Sequence, residues 1–178
     1  MKSNFFVVCF ALGLSVLLTS CGKDHREPAN SGVSLKPISF AQWDDTIKNY
    51  RSNVVVVDLW ATWCLPCVKR FPKMVEMSHK FADRNVRFVS INFDDPADAE
   101  ALPKVNQFLQ DMQADFDNYY FKENLIDAFD YMKIIGLPTV LVFDADGNEA
   151  RRLTGVNPNN QFTDKDIEAA VNKLLTGG

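Results

Sequence analysis

The stretch Val54-Val55-Val56-Val57-Asp58-Leu59-Trp60 constrains the fold more than any other part of the chain. Successive β-branched residues disfavour a helix, because each loses side-chain freedom against the preceding turn. An unbroken apolar run, as opposed to an alternating one, belongs to a strand covered on both faces. A second such run, Val86 to Phe93, follows a segment of helical spacing from about Cys64 to Phe81. Strand, helix and strand in that order imply a parallel pair with a right-handed crossover. The fold class is therefore α/β. Pro72 lies inside the helical segment and is expected to kink it.

Other elements can be placed around this unit. Ser39 is a helix N-cap, and Phe40, Trp43 and Ile47 follow at helical spacing to about Tyr50. Between Asp94 and Lys122 the chain is acidic, then mixed, with one helix expected over Ala101 to Met112. Asp94, Asp95, Asp98 and Glu100 read as a solvated loop and helix start. A further helix is expected over Asn124 to Met132. Thr139 to Phe143 and Asn148 to Leu153 form a hairpin about the turn Asp144-Ala145-Asp146-Gly147. Thr163 opens a C-terminal helix whose apolar face carries Ile167, Ala170, Val171 and Leu174.

The N-terminus has a different character. Lys2 precedes a nearly unbroken apolar run, Phe5 to Leu18, which ends in Leu18-Thr19-Ser20-Cys21. That run has the length of a signal-peptide core and falls short of the roughly 20 residues of a spanning helix. The ending resembles a bacterial lipobox, which implies cleavage before Cys21 and lipid attachment to its thiol. The expected organisation is a lipoprotein signal peptide over 1–20, a lipid-anchored polar tether over 21–36 and one domain over 37–178. The alternatives are an ordinary secretory signal or an uncleaved anchor. In the preferred reading the protein faces the extracytoplasmic side of a bacterial envelope, periplasmic where there is one, with the membrane reached through the lipid.

Of four cysteines, Cys9 lies in the leader and Cys21 is the lipid site, which leaves Cys64 and Cys67. A pair this close makes a poor staple, because the loop it closes removes little chain entropy. The segment Trp63-Cys64-Leu65-Pro66-Cys67 sits where a buried strand gives way to a helix. Unpaired N–H groups at a helix start favour a thiolate, the form that attacks disulfides. Cys64 is thus the candidate nucleophile. Cys67 lies one turn on and can close a Cys64–Cys67 disulfide that releases a bound substrate. Pro66 stiffens the first turn, where its missing N–H costs nothing. Structural zinc would need four ligands, and only His25 and His79 remain as further candidates. Copper(I) carried on two thiolates stays open as a binding-module alternative. No basic stripe suggests nucleic acid; the net charge is −4.

Val57 to Cys67, with Pro72 beyond it, resembles the active-site block of thioredoxins, and Ile135-Gly136-Leu137-Pro138-Thr139 resembles their cis-proline segment. Asp146-Gly147 and Gly155 match the hairpin turn and the glycine after it. The leader and the stretch from Asp94 to Lys122 are similar to the membrane-anchored TlpA/ResA-like branch. This resemblance implies a thioredoxin fold: a central mixed sheet flanked by helices, with a helical insertion after the second strand of the conserved unit. It implies disulfide exchange on exported proteins with thiols or disulfides, and a membrane oxidoreductase as electron donor or acceptor. No cofactor or metal is implied beyond the cysteine pair. Cys64 resembles the nucleophile, Cys67 the resolving cysteine and Asp58 the buried acid that exchanges its proton. A strand of valines supports that role for Asp58, since burial raises a carboxyl pKa; a local hydrogen bond at a strand end is the plainer alternative. Pro138 is expected to be cis, with Leu137 offering its backbone to an extended substrate. Trp63, Leu65 and Pro66 are expected to contribute to the substrate surface and Trp60 to shape it, with plain core packing, the commoner role of tryptophan, as the alternative for Trp60 and Trp63. Two departures are Ser90, where thioredoxins commonly place a lysine, and the dipeptide Leu65-Pro66 in place of Gly-Pro. Both bear on the direction of the reaction: reductase is preferred, with oxidase or isomerase as the alternative.

Overall fold

The computed structural model describes residues 32–157, 159 and 161–177. The leader 1–20, Cys21 and positions 22–31 lie outside the described residues. Among the described residues the sheet has six strands, in the order β1-β4-β3-β2-β5-β6.

The two apolar runs form its centre. Strands β2 (Val54–Trp60) and β3 (Val86–Asn92) pair in parallel, with Val54 opposite Val86 and Asp58 opposite Ser90. On its other side β2 pairs antiparallel with β5 (Thr139–Phe143), which sets Asp58 opposite Val140. Both edges of β2 are thus satisfied by backbone partners, and all its side chains are buried. Strand β6 (Glu149–Thr154) returns antiparallel to β5 and carries mostly exposed polar side chains. The sheet is therefore mixed, as the resemblance implied.

Helices cover both faces. Val55, Val57 and Leu59 pack with Trp43 and Ile47 of α1 (Phe40–Asn49). Ser39 caps α1 through a reciprocal bond pair with Gln42. Helix α4 (Leu125–Tyr131) joins α1 through the stacked Phe40 and Tyr131 rings, 4.2 Å apart. Val54 and Val56 face the opposite way, onto Met74 and Met77 of α2 (Leu65–Lys80) and Ile167 and Val171 of α5 (Asp164–Thr176). Trp60 lies on this face too, tilted against Phe71 of α2 and Phe108 of α3 (Ala101–Asp111). It is wholly buried, so it belongs to the core and not to a substrate surface.

The segment after β3 contains the expected helix, α3, and also an unexpected strand, β4 (Asp117–Phe121). This strand enters the sheet between β3 and β1 (Leu35–Ile38), parallel to both. β1 starts inside the span read as tether, and Val33 just before it is already buried. Pro37 is tolerated there because β1 is an edge strand. A buried polar knot holds β4 in place. Ser90 donates to Asn118 Oδ1 at 2.7 Å, and Asn118 Nδ2 donates to the carbonyls of Ala114 and Phe116 at 2.8 and 2.7 Å. Asp144 accepts from the amides of Asp146 and Asn148, which closes the β5–β6 hairpin as a turn.

Candidate active site

Cys64 and Cys67 are joined in a disulfide at the start of α2. Cys64 is the N-cap, and its side chain is not used for capping. Its sulfur is thus free of the backbone yet set at the positive end of the helix dipole. Leu65 and Pro66 complete the first turn, and the helix runs on through Pro72 to Lys80. Cys64 is almost covered and Cys67 fully so. Beside them Trp63 and Leu65 project into solvent at 57% and 61% exposure.

Asp58 lies fully buried in the middle of β2. Its Oδ1 accepts a hydrogen bond from Arg70 Nη2 of α2, and its Oδ2 has no partner. Burial pushes the carboxyl above the ordinary carboxylate range, and the Arg70 charge opposes that rise. The Ser90 hydroxyl is committed to Asn118 and does not serve Asp58.

The peptide bond between Leu137 and Pro138 is cis. Pro138 is buried at the start of β5, and Leu137 is half-buried. Gly155 donates its amide to the Pro138 carbonyl at 2.8 Å. A Cβ at position 155 would come within 2.8 Å of Pro138 Cγ, so the close passage of the chain here requires glycine. Ile135, 89% exposed, adds another apolar side chain shortly before this proline.

Asp94 is not a solvated loop residue; it is buried. Its Oδ2 accepts from the Thr62 amide at 2.8 Å and from Asn92 Nδ2 at 2.7 Å, and its Oδ1 accepts from the Thr62 hydroxyl. This carboxylate, just past the end of β3, pins the loop that carries Trp63 into Cys64. The sequence signal was the threonine two residues before the motif, whose hydroxyl and amide both need a nearby acceptor. Among the described residues no group of three or more His, Cys, Asp or Glu side chains is gathered to hold a metal ion. None of the described helices is long and apolar enough to cross a membrane.

A protein-family model described as thioredoxin-like matches residues 52–149. Similar curated proteins include a thiol-disulfide oxidoreductase ResA of Bacillus thuringiensis, 25% identical over 116 residues. That match covers 65% of this chain and 63% of the relative, so it spans less than two thirds of the relative's length. A thiol:disulfide interchange protein DsbD of Colwellia psychrerythraea is 30% identical over 85% of this chain, a match that takes in 22% of that longer protein. Among solved structures, a thiol:disulfide interchange protein of Chlorobium tepidum is 27% identical with a TM-score of 0.56, covering 71% of this chain and 83% of its own.

The Asp94 clamp generates a direct test. Asp94→Ala leaves the Thr62 amide without its acceptor, and a lost buried hydrogen bond costs about 1–3 kcal/mol. Hydrogen exchange at the Thr62 amide should accelerate while exchange in the centre of β2 stays slow. Unchanged protection at Thr62 would contradict the clamp.

Proposed function

This chain belongs to the thioredoxin-like family, and we propose that it reduces disulfides of exported proteins through Cys64 and Cys67. The observation that carries the reading is a disulfide at a helix start, with a fully buried carboxylate in the strand that leads into it. The names of the relatives, thiol-disulfide oxidoreductase and thiol:disulfide interchange protein, support the same reaction class.

In the reduced protein the helix start stabilises the Cys64 thiolate. This thiolate attacks one sulfur of the substrate disulfide, and the other substrate sulfur leaves as a thiolate. Cys67 then gives its proton to the unpartnered Oδ2 of Asp58 and attacks Cys64. The Cys64–Cys67 bond forms, and the bond to the substrate breaks. Two electrons pass from the enzyme dithiol to the substrate. The proton on Asp58 returns to solvent or to the departing thiolate. The dithiol of a membrane oxidoreductase restores the reduced state by the same exchange in reverse.

Trp63, Leu65 and Pro66 on one side, and Leu137 with Pro138 on the other, form the binding surface for an extended segment of substrate. The exposure of Trp63 and Leu65 supports this assignment. The protein acts outside the cytoplasm, held to a bacterial membrane by lipid on Cys21, after loss of residues 1–20.

Two results are expected. Cys67→Ser should accumulate a reducible adduct between Cys64 and substrate protein in membranes, and Cys64→Ser should not; absence of the adduct would sink the assignment. Radiolabelled palmitate should mark the wild-type chain and not Cys21→Ser. Label that persists in Cys21→Ser would place any lipid elsewhere.

A further inference from the structure

Arg70 is the functional residue that motif reasoning passed over. It sits one turn beyond Cys67 on α2, so both side chains lie along the same stripe of the helix. Its side chain is only 10% exposed, and Nη2 donates to Asp58 Oδ1. The guanidinium packs on the Phe162 ring, 4.8 Å from the ring centre, just ahead of α5. The next residue back, Gln161, donates to the carbonyl of Gly155, the glycine against Pro138. The ion pair therefore joins β2, α2 and the loop that follows β6.

A buried ion pair that serves stability alone needs hydrogen bonds on its remaining lone pairs and protons. This pair lacks them. Asp58 Oδ2 and Arg70 Nε are both buried without a partner. The carboxylate is held by one oxygen, and its other oxygen is unused.

We propose that Arg70 is the positioning residue of the proton-transfer step: it fixes Asp58 through Oδ1 and leaves Oδ2 as the acceptor for the Cys67 proton, with Phe162 holding the guanidinium in place. The proposal rests on the disulfide-exchange reading above. It also explains how an acid with no lysine beside it can work inside the sheet. Desolvation favours the neutral carboxyl, and the Arg70 charge counters that preference. The groups facing Asp58 are few. Arg70 reaches it from α2. Asp164, at the start of α5, acts on it with the opposite sign to Arg70. Ser90 of β3 and Val140 of β5, opposite it in register, carry no charge.

The test is the pH profile of insulin-disulfide reduction by the full chain, run for Arg70→Gln, Arg70→Lys, Asp58→Asn and the double variant Asp58→Asn/Arg70→Gln. Without Arg70 the carboxyl is harder to ionise. The acid limb of the Arg70→Gln profile should therefore move to higher pH, with a loss of about tenfold at neutral pH that recovers on the alkaline side. Arg70→Lys, which keeps a charge but not the fork, should restore part of the rate. In the Asp58→Asn background the Arg70→Gln change should add nothing. Carbon-13 NMR of the Asp58 carboxyl should show its titration displaced upward in Arg70→Gln, which a purely structural role would not do. If Arg70→Gln fails to fold, the same profile and titration on Arg70→Lys, with a smaller upward displacement, carry the test. A wild-type profile and titration in both Arg70 variants, alongside a slowed Asp58→Asn, would overturn the proposal alone. So would an equal loss at every pH that persists in the double variant. Reduction that survives Cys64→Ser would overturn the exchange reading beneath it.

Discussion

The structure turns on a carboxylate placed where water does not reach. Taking an ion out of water costs several kcal/mol even after the protein relaxes around it. Asp58 sits in the middle of a strand that is hydrogen-bonded on both edges and covered on both faces. Its neighbours in β2 are apolar on either side. Arg70 offsets the cost from α2, and in doing so ties that helix down over β2. Packing of Met74 and Met77 extends the same tie along the helix.

Cys64 inherits its position from these constraints. The helix that Arg70 anchors begins at Cys64, and the loop entering it is held by a second carboxylate, Asp94, from the end of the adjacent strand. One acid lies beneath the helix and one behind the loop. Between them they leave the sulfur little freedom, which is what a reaction dependent on in-line attack requires. The side chains at the surface near this site follow a different rule. Trp63, Leu65 and Ile135 are exposed apolar side chains at the rim, not built into the core.

Much of this was legible in the residues. The valine run, the helix after it and the hairpin about Gly147 have strong local signals, and each appears within a residue or two of its expected bounds. The two edge-side strands were not legible. β1 is four residues with a central proline, and β4 reads Asp-Asn-Tyr-Tyr-Phe, with polar residues where a buried strand would carry valine. Their partners lie far along the chain, so only tertiary pairing identifies them. Cys64 and Cys67 were singled out by their spacing where a strand gives way to a helix, and Asp58 by its place in a valine run, whereas the cis Pro138 was implied by the resemblance to the thioredoxin block. Arg70 and Asp94 were missed because a charged residue on a helix, or in an acidic loop, ordinarily faces water. Trp60 was misjudged for the converse reason: its neighbour Trp63 is exposed, but the pleat turns Trp60 into the aromatic cluster with Phe71 and Phe108.

The central claim is that Cys64 and Cys67 form a reversible couple poised to donate electrons. Its most direct test is the midpoint potential of the pair, read by tryptophan fluorescence in dithiothreitol and glutathione buffers on a soluble form beginning at Gly22. The account expects a reversible two-electron transition near the roughly −270 mV of thioredoxin. A midpoint near about −120 mV would make the protein an oxidant of its partners and contradict the direction assigned here. Absence of any reversible transition would contradict the chemistry itself.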